Sequence, residues 1–191
     1  MINIKKFYEF LRGFKWSNQQ IDVAHNCLIF GAVLSSKPDN VLELGMGGGY
    51  VTTAMLCALN YNGKPFQLTS VDNWHDWKGK EPSHAAGLRK QGVNIVVEDE
   101  GRFVRNQPDW KYDFIVLDGD HHRGGEWAED ILRIIHPGGL MFVHDVNMEA
   151  YPSLKRYVEL SKDYGMSHFI FSKNSRQGEQ CNRGLLMAVR R

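Results

Sequence analysis

Val41-Leu-Glu-Leu-Gly-Met-Gly-Gly-Gly-Tyr-Val-Thr-Thr-Ala-Met55 is the stretch whose reading decides the fold. An apolar strand runs into a glycine-packed turn and then into a helical segment. The first helical N–H groups and the positive end of the helix dipole therefore face whatever lies beyond the strand tip, which suits an anionic ligand group. The glycines narrow that ligand. Gly45, Gly47 and Gly49 read G-x-G-x-G, whereas the dinucleotide fingerprint G-x-G-x-x-G needs glycine where Tyr50 stands. The spacing disfavours a pyrophosphate guest.

A second apolar run, Phe66-Gln-Leu-Thr-Ser-Val71, ends in Asp72. In a βαβ unit this acid stands at the tip of the neighbouring strand, where it can accept hydrogen bonds from both hydroxyls of a ribose. A glycine turn beside a strand-end acid implies a nucleoside ligand. Glu43-x-Gly45-x-Gly47-x-Gly49 with Asp72 resembles the binding site of class I S-adenosylmethionine-dependent methyltransferases, and the resemblance runs from about Val41 to the C-terminus. It implies that Glu43 helps hold the amino end of the methionine moiety, that the three glycines admit its backbone and that Asp72 takes the ribose. It further implies that Asp99, or the backbone beside it, reads the adenine, with Asp118 also on the cofactor side. Read without the resemblance, the glycines can serve tight turning alone, Asp72 can cap a helix, and Glu98-Asp99-Glu100 can be an acidic helix start.

The chain has 191 residues, 42% of them hydrophobic, a size and composition suited to one soluble domain with a sizeable core. We expect a single methyltransferase domain over 1–191, with a helical segment at 1–37 covering the core or the site. The formal charge is +1 and no basic block is longer than two residues, so the footprint of a nucleic-acid binder is missing and a small-molecule partner is favoured. Cys27, Cys57 and Cys181 are odd in number and without C-x-x-C spacing, which argues against a disulfide framework or a zinc site. No stretch approaches the roughly 18 uninterrupted apolar residues of a membrane span, and no signal-peptide core is visible. The expected location is the cytoplasm.

Ser17-x-x-Gln20 reads as a capping box opening a helix to about Val33, with Pro38 beyond its end. Strands are predicted at Val41 to Leu44, Gln67 to Val71, Val93 to Val97, Phe114 to Leu117 and Leu140 to Val143. Helical patterns separate them, at Tyr50 to Asn60, Ser83 to Gln91, Gly101 to Asn106, Gly125 to Ile135 and Pro152 to Lys162. This alternation predicts an α/β, Rossmann-like doubly wound sheet, mostly parallel. The last two strands, near Ser167 to Phe171 and Gly184 to Val189, are joined by a segment too short for a crossover helix. They predict a hairpin with the final strand antiparallel at that edge, an ending that resembles the methyltransferase sheet.

Ligands of open α/β sheets bind beyond the carboxyl ends of the strands. Five strand tips in a row carry acids or histidines: Glu43, Asp72, Glu98-Asp99, Asp118-Gly-Asp-His-His122 and His144-Asp145. The last two groups resemble a branch of small O-methyltransferases with an Asp-Gly-x-His turn. Some members of that branch, and the similar catechol-type enzymes, hold a divalent ion between the first Asp and two consecutive residues after the fifth strand. The matching positions are Asp118, His144 and Asp145. Hard oxygen donors suit Mg²⁺, whereas histidine at 144 suits an ion tolerant of imidazole such as Mn²⁺ or Fe²⁺, a water-mediated site, or a site without metal in which Asp118 and Asp145 cap loops or hydrogen-bond the ligand. Asn147 is a further oxygen donor nearby.

The resemblance also implies that His121 is the general base. Imidazole titrates near pH 6.5 in model compounds, so it can take a hydroxyl proton near neutrality. His122 is an equally titratable neighbour. Trp74 and Trp77 either wall the ligand or pack on the following helix. The function expected is methyl transfer from S-adenosylmethionine to a hydroxyl oxygen of a small acceptor. The competing readings are a nucleotide-dependent oxidoreductase and a non-catalytic ligand-binding protein on the same scaffold.

Overall fold

The computed structural model describes residues 23–75, 79–171 and 183–191. The capping box at Ser17 to Gln20, Trp77 and Cys181 lie outside these. Helix α1 (Val23–Ser36) precedes β1 (Asn40–Leu44), α2 (Tyr50–Asn62), β2 (Gln67–Val71), α3 (Ala85–Lys90), β3 (Val93–Val96), α4 (Glu100–Arg105) and β4 (Tyr112–Leu117). A short 3₁₀ turn (Gly124–Trp127) leads into α5 (Ala128–Ile134), followed by β5 (Ile135–His144), a second 3₁₀ turn (Pro152–Leu154), α6 (Lys155–Asp163), β6 (Ser167–Phe171) and β7 (Leu185–Val189).

The strands form one seven-stranded sheet in the order β3-β2-β1-β4-β5-β7-β6. The first five are mutually parallel, and β7 runs antiparallel to both β5 and β6. The expected hairpin is present, with β7 inserted inside the sheet and β6 taking the edge. That order lets β7, whose Leu185, Leu186 and Ala188 are fully buried, sit between two neighbours, while the edge strand leaves Phe169 63% exposed.

The apolar runs of β1, β4 and β5 are continuous because both faces of the sheet are covered. Alternate residues go to opposite sides. Leu42, Leu44, Ile115, Leu117, Met141 and Val143 pack with α5 and α6, whereas Val41, Phe114, Val116 and Phe142 pack with α1 and α2. Helix α1 is pinned to α2 by Asn62 Nδ2, which donates to Val33 O at 3.0 Å. It ends where Lys37 takes a φ of 49° ahead of Pro38.

Several boundaries differ from the sequence expectation, among them the helix expected from Pro152, which opens with a 3₁₀ turn, and β4, which starts at Tyr112; two differences have a clear physical cause. The helix expected from Gly125 is split into a 3₁₀ turn and α5, because Gly125 makes a close backbone approach. A Cβ there would fall 2.1 Å from Ser153 O. Strand β5 starts at Ile135, five residues before Leu140, because Gly138 N donates to Arg190 O (2.8 Å) and Arg190 N to Gly139 O (3.0 Å), which keeps the Pro-Gly-Gly segment extended against the chain end.

The register positions the site. Leu44 pairs with Val71 and with Leu117, Val71 with Val96, and Leu117 with Val143. Gly45, Asp72, Asp118 and His144 therefore each stand one step beyond a level row of strand ends. The strand order reverses between β1 and β4, where a cleft must open.

Candidate active site

A cavity of about 710 Å³ lies over these strand ends. Its floor is the glycine turn. Gly45 has a φ of 86°, and a Cβ there would sit 2.2 Å from Gly119 Cα, so the exits of β1 and β4 touch backbone to backbone. Gly47, at φ 49°, donates its N–H to Asp72 Oδ2 at 2.7 Å. Asp72 Oδ1 accepts from Trp74 N at 2.5 Å. Burial pushes the Asp72 carboxyl up, against the pull of those backbone donors.

Gly45, Gly47 and Asp72 line the cavity. Gly49 and Glu43 do not. Gly49, left-handed at φ 73°, caps α2, and a Cβ there would meet His84 Nε2 at 2.7 Å, so it serves close packing against α3. Glu43 is fully buried behind the turn, its Oε2 accepting from Thr52 Oγ1 (2.6 Å) and Ser70 Oγ (2.5 Å). Its Oε1 has no hydrogen-bond partner among the described residues, and burial pushes its carboxyl up to about 7. Trp74 takes the packing alternative: it is 2% exposed, and its Nε1 donates to Gly47 O at 3.1 Å beneath the turn.

At one end of the cavity Asp99 caps α4, with Oδ1 accepting from Arg102 N at 2.9 Å and Oδ2 from Arg123 Nη2 at 2.8 Å. Arg123 first, and the helix N–H second, hold the Asp99 carboxyl below its ordinary range. Arg123 Nε also donates to Asp120 Oδ2 at 2.7 Å, so one guanidinium ties the β3 and β4 exits together. Glu100 lies under the Gly119-Asp120 turn, where Asp120 N donates to its Oε2 at 3.2 Å and burial pushes its carboxyl up to about 8. Arg123 and Glu100 line the cavity without having been singled out in the sequence. A basic residue three positions after Asp120 and an acid beside Asp99 were the available signals.

At the other end Asp118, His121, His144 and Asp145 converge, one donor atom from each lying within 4.8 Å of the others. The turn is closed by Asp120 Oδ1, which accepts from the N–H groups of His122 (3.1 Å) and Arg123 (3.0 Å). His121 is braced by Tyr151, its ring centroid 4.7 Å away, and by Ser153 Oγ, which donates to His121 O at 2.9 Å. His121 Nε2 stands 3.5 Å from Asp118 Oδ1 and 3.3 Å from Asp145 Oδ2, at angles that form no hydrogen bond with either. Asp145 has a φ of 61°, uncommon for aspartate.

His144 Nδ1 lies 2.9 Å from Asp118 Oδ1, and its Nε2 lies 3.1 Å from Nδ1 of the buried His25 on α1. Burial opposes the charged forms of this pair. Asp118 nevertheless raises the imidazole above its ordinary value, and His144, with His121, holds the Asp118 carboxyl well below the carboxylate range. Arg183 Nη1, 3.1 Å from Asp145 Oδ2, brings a cation to the same cluster. Asn147 packs beside Gly184 and is outside the four-residue donor group.

These residues fit a divalent cation. The two carboxylates and the His144 imidazole form a mixed O/N donor set, and the buried Nε2 of His121 stands beside it, unbonded and available to take a proton. Such a set suits Mn²⁺ or Fe²⁺ better than Mg²⁺.

A parallel sheet with a reversed-order cleft and an antiparallel β7, carrying a glycine turn and a strand-end acid over one cavity, has the class I methyltransferase architecture. The chain belongs to the methyltransferase-domain family, whose model matches residues 42–146. No curated protein matches the sequence. Among solved structures, the O-methyltransferase from Bacillus cereus in complex with SAH is 17% identical, with a TM-score of 0.71 over 98% of this chain and 90% of that one. The O-methyltransferase TomG from Streptomyces achromogenes, involved in tomaymycin synthesis and solved with SAM, is 16% identical, with a TM-score of 0.73 over 97% and 88%. The precorrin-6y C5,15-methyltransferase from Geobacter metallireducens is 12% identical, with a TM-score of 0.66 over 93% and 94%. These likenesses are likenesses of fold.

Proposed function

We propose that this protein transfers the methyl group of S-adenosylmethionine to a hydroxyl oxygen of a small-molecule acceptor, with His121 as general base. The observation that carries this reading is the single cavity that joins Gly45, Gly47 and Asp72 at one end to His121 between two carboxylates at the other. Two of the similar structures hold SAM or SAH on the same fold, which supports this cofactor here.

The ribose hydroxyls would donate to Asp72, which keeps acceptor capacity beyond its two backbone bonds. The open turn at Gly45 and Gly47 would admit the methionine backbone, and Asp99 with Arg123 would border the adenine. Glu43 supports the turn from behind and Gly49 fixes the start of α2. In the transfer, the acceptor oxygen attacks the methyl carbon in line, and the carbon–sulfur bond breaks with its electron pair returning to sulfur. The hydroxyl proton goes to His121 Nε2, where the arriving positive charge is met by Asp118 and Asp145. Holding acceptor and sulfonium in line supplies proximity, and proton removal supplies the base contribution. Asp118, His144 and Asp145 would hold a divalent cation, Mg²⁺ or Mn²⁺, which when bound supplies Lewis-acid polarisation of the acceptor oxygen.

The test is calorimetric binding of S-adenosylhomocysteine, expected with a Kd on the order of micromolar. Release of S-adenosylhomocysteine is then screened with pools of hydroxylated metabolites. Binding of NAD with no heat from either sulfur cofactor would overturn the reading in favour of an oxidoreductase.

A further inference from the structure

His144 is held from both sides. Its Nδ1 faces the carboxylates, 2.9 Å from Asp118 Oδ1 and 3.4 Å from Asp145 Oδ1, and its Nε2 faces His25 Nδ1 at 3.1 Å. His25 lies 119 positions away in sequence, on α1, and each of the two histidines is 1% exposed. The rings meet edge to face, with centroids 5.1 Å apart and planes at 80°. The contact follows from sheet alternation. Phe142 packs on the α1 side, so His144, two residues on, faces the same side and meets the helix.

We infer that His25 is a positioning residue for the cation site, fixing the ring orientation and tautomer of His144 so that Nδ1 presents a lone pair to the ion. The inference rests on the cation reading given under Proposed function. A neutral imidazole that binds an ion through Nδ1 carries its proton on Nε2, and a buried N–H needs an acceptor. His25 Nδ1 is within hydrogen-bond distance of that atom. With His25 absent, the Nε2–H is left buried without its partner, and the space opened beside it lets the ring turn away from Asp118. Partners of this outer kind are worth about 10- to 100-fold in metal affinity. Helix α1 would thus form part of the active site through one hydrogen bond, though none of its residues is among the described residues that line the cavity.

The test is Mn²⁺ binding to the full chain, followed by calorimetry and by the electron paramagnetic resonance signal of bound Mn²⁺, with S-adenosylhomocysteine affinity measured alongside. His25→Ala should weaken Mn²⁺ about 10- to 100-fold and leave S-adenosylhomocysteine affinity unchanged. His25→Asn, whose Oδ1 can accept from His144 Nε2, should recover part of the loss. Wild-type Mn²⁺ affinity in His25→Ala overturns the inference, and so does an equal loss of both ligands or an Asn variant no better than Ala. If wild-type protein itself binds no Mn²⁺, the cation reading fails and this inference fails with it. A wild type that binds and an alanine variant that binds equally well sinks the His25 role alone.

Discussion

Gly45 and Gly119 touch backbone to backbone: a single methyl group at position 45 would fall 2.2 Å from Gly119 Cα and 2.3 Å from its nitrogen. The contact sets how closely β1 and β4 leave the sheet, and therefore the width of the cleft. Gly45 is also left-handed, at φ 86°. Gly45→Ala combines strain with overlap against atoms that cannot swing aside, and should cost about 2 kcal/mol or more. Urea unfolding should show the loss, with weaker S-adenosylhomocysteine binding. Gly138→Ala, at φ 86° but with nothing near its Cβ, separates strain from overlap and should cost less.

Glu43 gives stability a pH dependence. Its carboxyl is raised from 4.5 to about 7 by burial, so between these values the folded chain binds a proton that the unfolded chain releases. The contribution is present in full below about pH 4.5 and is lost as pH rises towards 7. Over that window the wild type should lose on the order of 3 kcal/mol relative to Glu43→Gln. Denaturant unfolding at several pH values checks it, and a difference between the two proteins that stays flat with pH would show that Glu43 ionises normally.

Much of this site was legible because strand-tip residues obey a simple rule. Once the parallel order is known, Gly45, Asp72, Asp118 and His144 must stand level, and a one-residue reading of each strand end suffices. What escaped depends on side-chain direction and on contacts distant in sequence. Gly49 shares its spacing with Gly45 and Gly47, yet its missing Cβ faces His84. Glu43 shares a strand tip with the turn but lies on the face covered by α2, where Thr52 holds it. His25 shows nothing in sequence that distinguishes it from a packed histidine, since its partner is 119 residues away.

The Asp-His cluster predicts a metal response. If Asp118, His144 and Asp145 hold a cation, activity should fall with chelator and return with Mn²⁺ more fully than with Mg²⁺, given the imidazole donor. Asp145→Ala should reproduce the chelated enzyme. Arg183 complicates that cluster, because its guanidinium already satisfies part of Asp145. Arg183→Gln should therefore tighten Mn²⁺ binding if the two cations compete for one carboxylate. Full activity in excess chelator would remove the metal from the reaction while leaving the methyl transfer untouched.

The base assignment yields the sharpest contrast, because His121 and His122 are adjacent, both line the cavity, and differ in what surrounds them. His121 Nε2 lies between Asp118 and Asp145, with the Tyr151 ring tilted against its own at 4.7 Å, whereas His122 meets the same tyrosine edge-on at 5.2 Å and forms no ion pair with either carboxylate. A proton arriving on His121 is met by two negative charges. His121→Ala should lower kcat by about 10² to 10⁴ while S-adenosylhomocysteine affinity stays near wild type, and His122→Ala should do much less. Added imidazole should restore part of the rate to His121→Ala, since the vacated space opens into the cavity and the missing group is a diffusible base. Equal behaviour of the two alanine variants, or a loss of cofactor binding in His121→Ala, would mean that His121 is a wall of the pocket, and the proton would have to leave by another route.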